Sequence, residues 1–509
     1  MTTLFDAVKK YDNGTETENG CAAYKSTLSA CLDLFFNACT CRRDLAKAGS
    51  LVLDAYKEDK LTCLRLLFYI RDIRGGQGER EVFRAGMKEI IKFAPCDVTH
   101  LMKLVPEFGR WDDLFALYGI DKLIDAEIKL VVLDQVGKDL IAWHEDKPYD
   151  ISLIWKWLPS ENASSESTVA LAKKIRKEIF GCDSKTYRKQ LSKMRKILKI
   201  VERDISAKEY KNINYSNLPS KAAQKYKQAF IRNDCVRYSE YIEKLTNAVR
   251  NGTNDAKINT ATLYPYDIIR PLVDAACSYA EIDVDENELK VLDATWKSQK
   301  DYFSEKASHE NWLTVADVSG SMTCAKMLPM CASVSLALYT AEHNTGAFAD
   351  KFITFSAYPQ LVEIDKNWTI QQKVKHIMKS DWGMNTNLEA VFELVLSAAR
   401  RYNVHPKDMP NHLLIISDMQ FDECTQGTAL DTIRQKYALN GYELPKVVFW
   451  NVAGDYKANV PAMKNDNGVI LFSGYKPGMF EQMVNGTTPL EFMTSVVNSE
   501  RYSIIKVNE

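Results

Sequence analysis

Thr314-Val315-Ala316-Asp317-Val318-Ser319-Gly320-Ser321-Met322 decides how the carboxyl-terminal half of this chain is read. A short apolar run ends in Asp-x-Ser-x-Ser, so one carboxylate and two hydroxyls fall together at a predicted strand tip. Hard divalent cations prefer such oxygen ligands, Mg²⁺ in octahedral geometry with several waters kept. Two further oxygen-rich turns follow. Trp382-Gly383-Met384-Asn385-Thr386-Asn387 precedes an apolar-periodic helix, and Leu414-Ile415-Ile416-Ser417-Asp418-Met419 closes another apolar run. A lone Asp-Val-Ser-Gly-Ser is equally a polar turn whose serine caps a helix. Three turns in order, each at a predicted strand end or helix start, favour a ligand site, because open α/β sheets hold ligands there. A phosphoaspartate enzyme would want a second carboxylate beside the first, where Ser319 and Ser321 stand instead.

Around these turns, Leu313 to Asp317, Phe352 to Ser356, Leu413 to Asp418, Val447 to Val452 and Val469 to Ser473 read as short buried strands. Helical stretches lie between most of them, notably Leu328 to His343, Leu388 to Tyr402 and Leu430 to Leu439. That alternation predicts a largely parallel sheet covered on both faces. Phe352 to Phe355 and Leu361 to Ile364, joined across Tyr358-Pro359, predict a hairpin with one antiparallel edge strand. Residues 20 to about 300 read differently: Leu45 to Ile70, Val82 to Phe93, Leu123 to Trp143, Val169 to Phe180, Tyr187 to Val201 and Tyr238 to Val249 carry apolar residues three and four apart. The expectation is multidomain, an all-α helical-repeat domain over 20–300 and an α/β doubly wound domain over 308–509. The acidic stretch Asp283 to Glu288 marks the approach to the boundary, and no fixed repeat period is visible.

A chain of 509 residues exceeds one ordinary core, and 46% apolar with 26% charged residues is ordinary for a globular protein. The net charge of −1 hides an asymmetry. Lys173 to Arg232 holds 18 Lys/Arg against five acids, +13, leaving −14 for the rest. Such a block is a candidate footprint for a polyanion. The 12 cysteines show no zinc-type spacing, and no secretory leader or long apolar span is apparent, so reduced thiols, no membrane and a cytoplasmic location are expected.

The three turns together resemble the metal-ion-dependent adhesion site of the von Willebrand factor A domain. The resemblance implies one Mg²⁺ or Mn²⁺ held by Asp317, Ser319, Ser321, Thr386 and Asp418. In the helical half, Tyr69 to Arg80 (Tyr-Ile-Arg-Asp-Ile-Arg-Gly-Gly-Gln-Gly-Glu-Arg), Gly109 to Leu114, Trp157 to Glu161, Tyr187 to Lys189 and Leu218 to Ala222 resemble an uncharacterised family of plants, large DNA viruses and bacteriophages, over about residues 30 to 500. More distantly, the layout resembles the Ro autoantigen, a TROVE helical-repeat ring closed by a von Willebrand A domain. That resemblance implies binding of small noncoding or misfolded RNA, with no contact residue transferable.

The Gly-rich string Gly75 to Arg80 follows a helix and lacks Gly-Lys-Ser/Thr, so a left-handed helix cap is favoured over a phosphate loop. Arg71, Arg74, Arg80 and Arg84 are expected to pair with Asp72, Glu79 and Glu81 rather than with phosphates, and Trp111 to be a buried aromatic at a helix start. In the basic block, Tyr187, Leu191, Met194 and Leu198 face a core while Arg188, Lys189, Lys193, Lys196 and Lys199 spread over the other sides. A solvated helix is the plain alternative. The charge continues through Lys221 and Lys225, and Tyr210, Tyr215 and Tyr226 offer stacking faces for unpaired bases. The seven histidines form no metal or triad spacing. The expectation is therefore a nonenzymatic ribonucleoprotein component that binds RNA and uses Mg²⁺ to grip an acidic or phosphate group of a partner. The alternative is a metal-dependent protein-interaction scaffold. The first turn is expected to be polar and peripheral, so that Asp317→Ala removes the metal without cost to the fold.

Overall fold

The computed structural model describes residues 8, 12–277, 284–303, 310–355, 359–379, 386–422, 429–453, 459–481 and 487–507. Its first half is helical, and its second holds a mixed sheet of six strands. A short antiparallel hairpin, β1 (Gly14–Glu16) with β2 (Ala22–Tyr24), precedes the helices. The sheet comprises β3 (Trp312–Ala316), β4 (Lys351–Thr354), β5 (Gln360–Glu363), β6 (His412–Ser417), β7 (Lys446–Asn451) and β8 (Val469–Ser473), in the order β5-β4-β3-β6-β7-β8. All neighbours are parallel except β4 and β5, the antiparallel edge pair that the sequence predicts. Ser356, expected as the end of the first of these strands, lies outside the described residues.

Every residue of β3, β6 and β8 is buried, as expected for parallel strands covered on both faces. Ala316, Leu414, Ile416, Val448 and Trp450 join one core, and Leu313, Val315, Leu413, Ile415, Val447 and Phe449 the other. The alternation follows from the two-residue period of a strand. The first core runs without a break from Cys31 in the helical half to Ile505. The second takes in Cys21, Tyr24 and Phe36 from the amino-terminal segment.

Helix boundaries follow local caps. The stretch Leu45 to Ile70 is two helices, Leu45–Glu58 and Lys60–Arg71, because Asp59 turns extended and its carboxylate accepts from Thr62 N–H at 2.9 Å. Leu123 to Trp143 is one helix, Lys122–His144, capped by Asp121. The acidic stretch before the sheet starts the helix Glu286–Lys297, capped by Asp285. By length and composition Gly320–His343 is apolar enough to cross a bilayer, against the sequence expectation; its residues from Pro329 to Ala341 are buried against the sheet. No disulfide joins the eleven described cysteines.

The Gly-rich string differs from its expected role. Asp72, not a glycine, ends the helix Lys60–Arg71, in an extended conformation. Gly78 takes the positive φ, +76°, directly before the next helix, Arg80–Phe93, and a Cβ at Gly76 would overlap the Tyr69 carbonyl. Arg71, Arg80 and Arg84 are ion-paired, whereas Arg74 reaches the Glu107 carbonyl at 3.4 Å. Arg71 and Arg84 both bind the buried Asp113, each by Nε at 2.7 Å, and Arg84 also reaches Asp112 at 2.9 Å. Glu79 takes Arg42, while Arg80 at 2.7 Å and Arg84 at 3.6 Å keep a sequence neighbour, Glu81. Trp111 starts a helix as expected but is half-buried.

Candidate metal centre and basic groove

The sheet order places a topological switch between β3 and β6: the chain leaves β3 towards β4 on one side and leaves β6 towards β7 on the other. Crevices outside the carboxyl ends of strands form at such points. Asp317 follows β3 there, its N–H continuing the ladder to Ile416 O at 2.9 Å, and Asp418 follows β6.

Asp317 is wholly buried. Its carboxylate accepts Ser319 N–H at 2.9 Å and the Ser417 hydroxyl at 2.6 Å, so it fixes its own turn and ties it to β6. The Ser319 and Ser321 hydroxyls lie 3.0 Å apart, Ser319 buried and Ser321 exposed. Asp418, 4% exposed, accepts Gln420 N–H at 3.1 Å. The expectation of a peripheral turn is corrected here: replacing Asp317 by alanine leaves two buried donors without their acceptor.

Thr386 is 1% exposed and is joined to the third turn rather than the first. Its hydroxyl donates to Gln420 O at 2.6 Å, and its N–H to the Asp422 carboxylate at 2.7 Å. Trp382 to Asn385 of the second turn lie outside the described residues; Asn387 caps the following helix through Ala390 N–H at 2.9 Å. Sequence reading missed Ser417 and Asp422. Ser417 stands inside the quoted turn, and its partner Asp317 is 100 residues away, so only the strand pairing shows the contact. Asp422 lies past the recognisable motif.

Burial pushes the Asp317 carboxyl above the usual carboxylate range, and the charge of Asp422 adds to this against the hydrogen bonds from Ser417 and Ser319. A buried carboxylate that feels the charge of a second carboxylate, with hydroxyls beside it, is an oxygen-rich, electronegative site. Those residues fit a hard divalent cation. Asp317, Ser319 and Ser321 would hold it, with Asp418 and Thr386 on the flanking turns.

The amino-terminal hairpin grips the third turn. The Thr17 hydroxyl donates to Phe421 O at 2.6 Å, Glu18 N–H to the Gln420 side chain at 2.9 Å, and the Asn19 amide to Gln420 O at 2.9 Å. The sequence shows nothing of this, since the contacts span some 400 residues.

The basic residues lie on the helices Ser184–Ile197 and Ser220–Asn233 or just past them. Arg188, Lys189, Lys193, Lys196, Lys199, Lys221 and Lys225 are all exposed. Arg188 folds onto its own helix at Ser184 O, 3.2 Å; Lys193 lies 3.6 Å over the Trp143 ring; Lys221 is ion-paired with Asp267. Between the helices an open groove of about 630 Å³ is lined by Lys156, Trp157, Arg188, Arg195, Arg203 and Lys225 among others, with Glu202 the acid. Arg195 spends its guanidinium on the Trp155 and Leu158 carbonyls, at 2.9 and 2.7 Å. Tyr215 offers no stacking face: it is 6% exposed, packed on Phe230 and Tyr238, and bonded to Asp234.

Two family profiles match the chain. One is described as a domain of unknown function (DUF2828) and covers residues 17–105 and 128–308. The other, also a domain of unknown function (DUF7788), covers 311–503. The uncharacterized protein L728 of Acanthamoeba polyphaga mimivirus is 30% identical over 504 residues, covering 92% of this chain and 84% of its own length.

Proposed function

The chain belongs to the DUF2828 family and is similar along most of its length to a large-virus protein, and from that premise we propose that it is a nonenzymatic, metal-dependent binding protein that also holds RNA. In this reading the carboxyl-terminal half is a von Willebrand A-like module. Asp317, Ser319 and Ser321, with Asp418 and Thr386 beside them, hold Mg²⁺ or Mn²⁺, and the cation's open positions take a carboxylate or phosphate of a partner. The helical half is a TROVE-like or HEAT-like scaffold whose basic groove takes RNA phosphates. The observation that carries the reading is the fully buried Asp317 carboxylate at the topological switch, bonded to neutral donors and raised further by the charge of Asp422. A cation there offsets burial that is otherwise costly.

The test of the RNA half is a filter-binding titration at rising salt. Six or more phosphate contacts predict a loss of roughly 10³-fold between 50 and 200 mM. Arg188→Glu with Lys225→Glu should weaken binding and flatten the salt slope. No affinity at low salt removes this half of the reading.

The protein-only reading has its own support. Lys221 is paired with Asp267, Lys227 with Glu288, and Tyr215 is buried, so part of the basic block is spent within the fold. A protein prey that is lost with EDTA and kept after nuclease treatment would favour it.

A further inference from the structure

The helix Lys122–His144 presents apolar side chains outward as well as inward. Ile124, Ile128, Val132 and Val136 are buried, whereas Leu130 is 63% exposed, Ile141 60%, Leu123 44% and Leu133 39%. Leu123, Leu130 and Gly137 are seven residues apart, and Leu133 and Ile141 stand one turn to either side of Gly137, so they form one stripe. Gly137 is the second observation. Glycine weakens a helix interior relative to alanine, and a Cβ there would meet no atom within 4 Å. Among the described residues, nothing in the packing calls for its small size. A notch between exposed Leu and Ile residues is what a second helix needs for close approach.

We infer that this face pairs with the same face of a second copy of the chain, the two helices running antiparallel and crossing at Gly137. The charges on the stripe's edge favour this occupant. Asp134 and Lys138 are both largely exposed and paired along their own helix at 2.7 Å. A two-fold axis through the crossing sets Asp134 of one copy within a turn of Lys138 of the other, twice, and brings Leu133 level with the second copy's Ile141, with Leu130 about one turn further out. The contact is thus self-complementary in charge and shape, as a closed two-fold interface must be. Beyond the helix, Tyr149 is 98% exposed and Leu153 55%, which adds apolar surface. A helix of this length with such flanks suits a small, concentration-dependent dimer.

Sedimentation velocity of the full chain over rising concentration tests this. The expected result is a monomer–dimer equilibrium, abolished by Ile141→Glu. Asp134→Lys should weaken it by about tenfold or more, and Asp134→Lys with Lys138→Asp should restore it. Leu130→Gln gives the same readout as Ile141→Glu should the latter lower helix content by circular dichroism. A monomer at every concentration, a dimer indifferent to both apolar variants, or a double variant no tighter than Asp134→Lys alone would each overturn the inference.

Discussion

Single side chains carry two opposite kinds of legibility. The Asp-x-Ser-x-Ser turn is readable because its chemistry lies within five residues, and the structure sets those residues at a strand end in hydrogen-bond contact with one another. The glycines of the Gly-rich string are readable as special positions but not as to why. Gly76 is small because the chain folds back onto Tyr69, a contact that only coordinates show. Gly76→Ala should therefore destabilise the fold by about 3 kcal/mol, because the obstacle is backbone and cannot rotate away; a urea denaturation midpoint unchanged from the parent contradicts this. His412, at the start of β6, is 4% exposed and stacks on Trp312. Glu310 Oε2 lies 2.7 Å from its Nδ1, yet neither atom makes a hydrogen bond among the described residues. Burial, with Lys446 adding to it, pulls this imidazole down to about 4. Its folded form thus binds a proton less readily than its unfolded form. The contribution is complete above pH about 6.5 and is lost as pH falls towards 4, some 3 kcal/mol in all. Wild type and His412→Phe compared by urea unfolding at pH 7 and 4.5 should differ in acid sensitivity, the variant losing less; equal losses sink the assignment.

At the level of elements, the strands and their order of appearance follow from the switch between two-residue and three-to-four-residue apolar spacing. The hairpin of β4 and β5 follows from two alternating runs held close in sequence. What local patterns miss is set by distant partners. The break at Asp59 is hidden inside continuous helical periodicity, since an aspartate serves equally on a helix surface or as a cap. The hairpin β1–β2 is three residues a strand and carries no strong signal, yet it puts Cys21 and Tyr24 into the second core and fastens the turn that holds Asp418. Deleting residues 1–24 should lower stability by about 3 kcal/mol or more, from the lost apolar burial and hydrogen bonds. It should also weaken Mn²⁺ binding by loosening the third turn. A truncated chain with the parent's melting temperature and Mn²⁺ affinity would show the hairpin to be a passive appendage.

Across the whole molecule, the two halves differ in texture and share one core. Gln77 of the Gly-rich string donates to Phe35 O at 3.1 Å and to Ser473 O at the end of β8 at 3.0 Å. Asp72 is ion-paired with Arg501 near the carboxyl end. The Gly-rich string of the helical half is thus part of the seam against the sheet, a role that spacing alone cannot announce because its partners lie some 400 residues away. The basic block was legible as charge and only partly as function, since ion pairs such as Lys221 with Asp267 depend on tertiary placement. One divalent cation held by three turns at the carboxyl edge of the sheet is what we propose. Mn²⁺ titration of the full chain, followed by electron paramagnetic resonance, tests it most directly. One bound ion per chain is predicted, lost in Asp317→Asn and weakened in Asp418→Asn, with far-ultraviolet circular dichroism unchanged. An Asp317→Asn variant that is folded and still takes up one Mn²⁺ with the parent's affinity would contradict it.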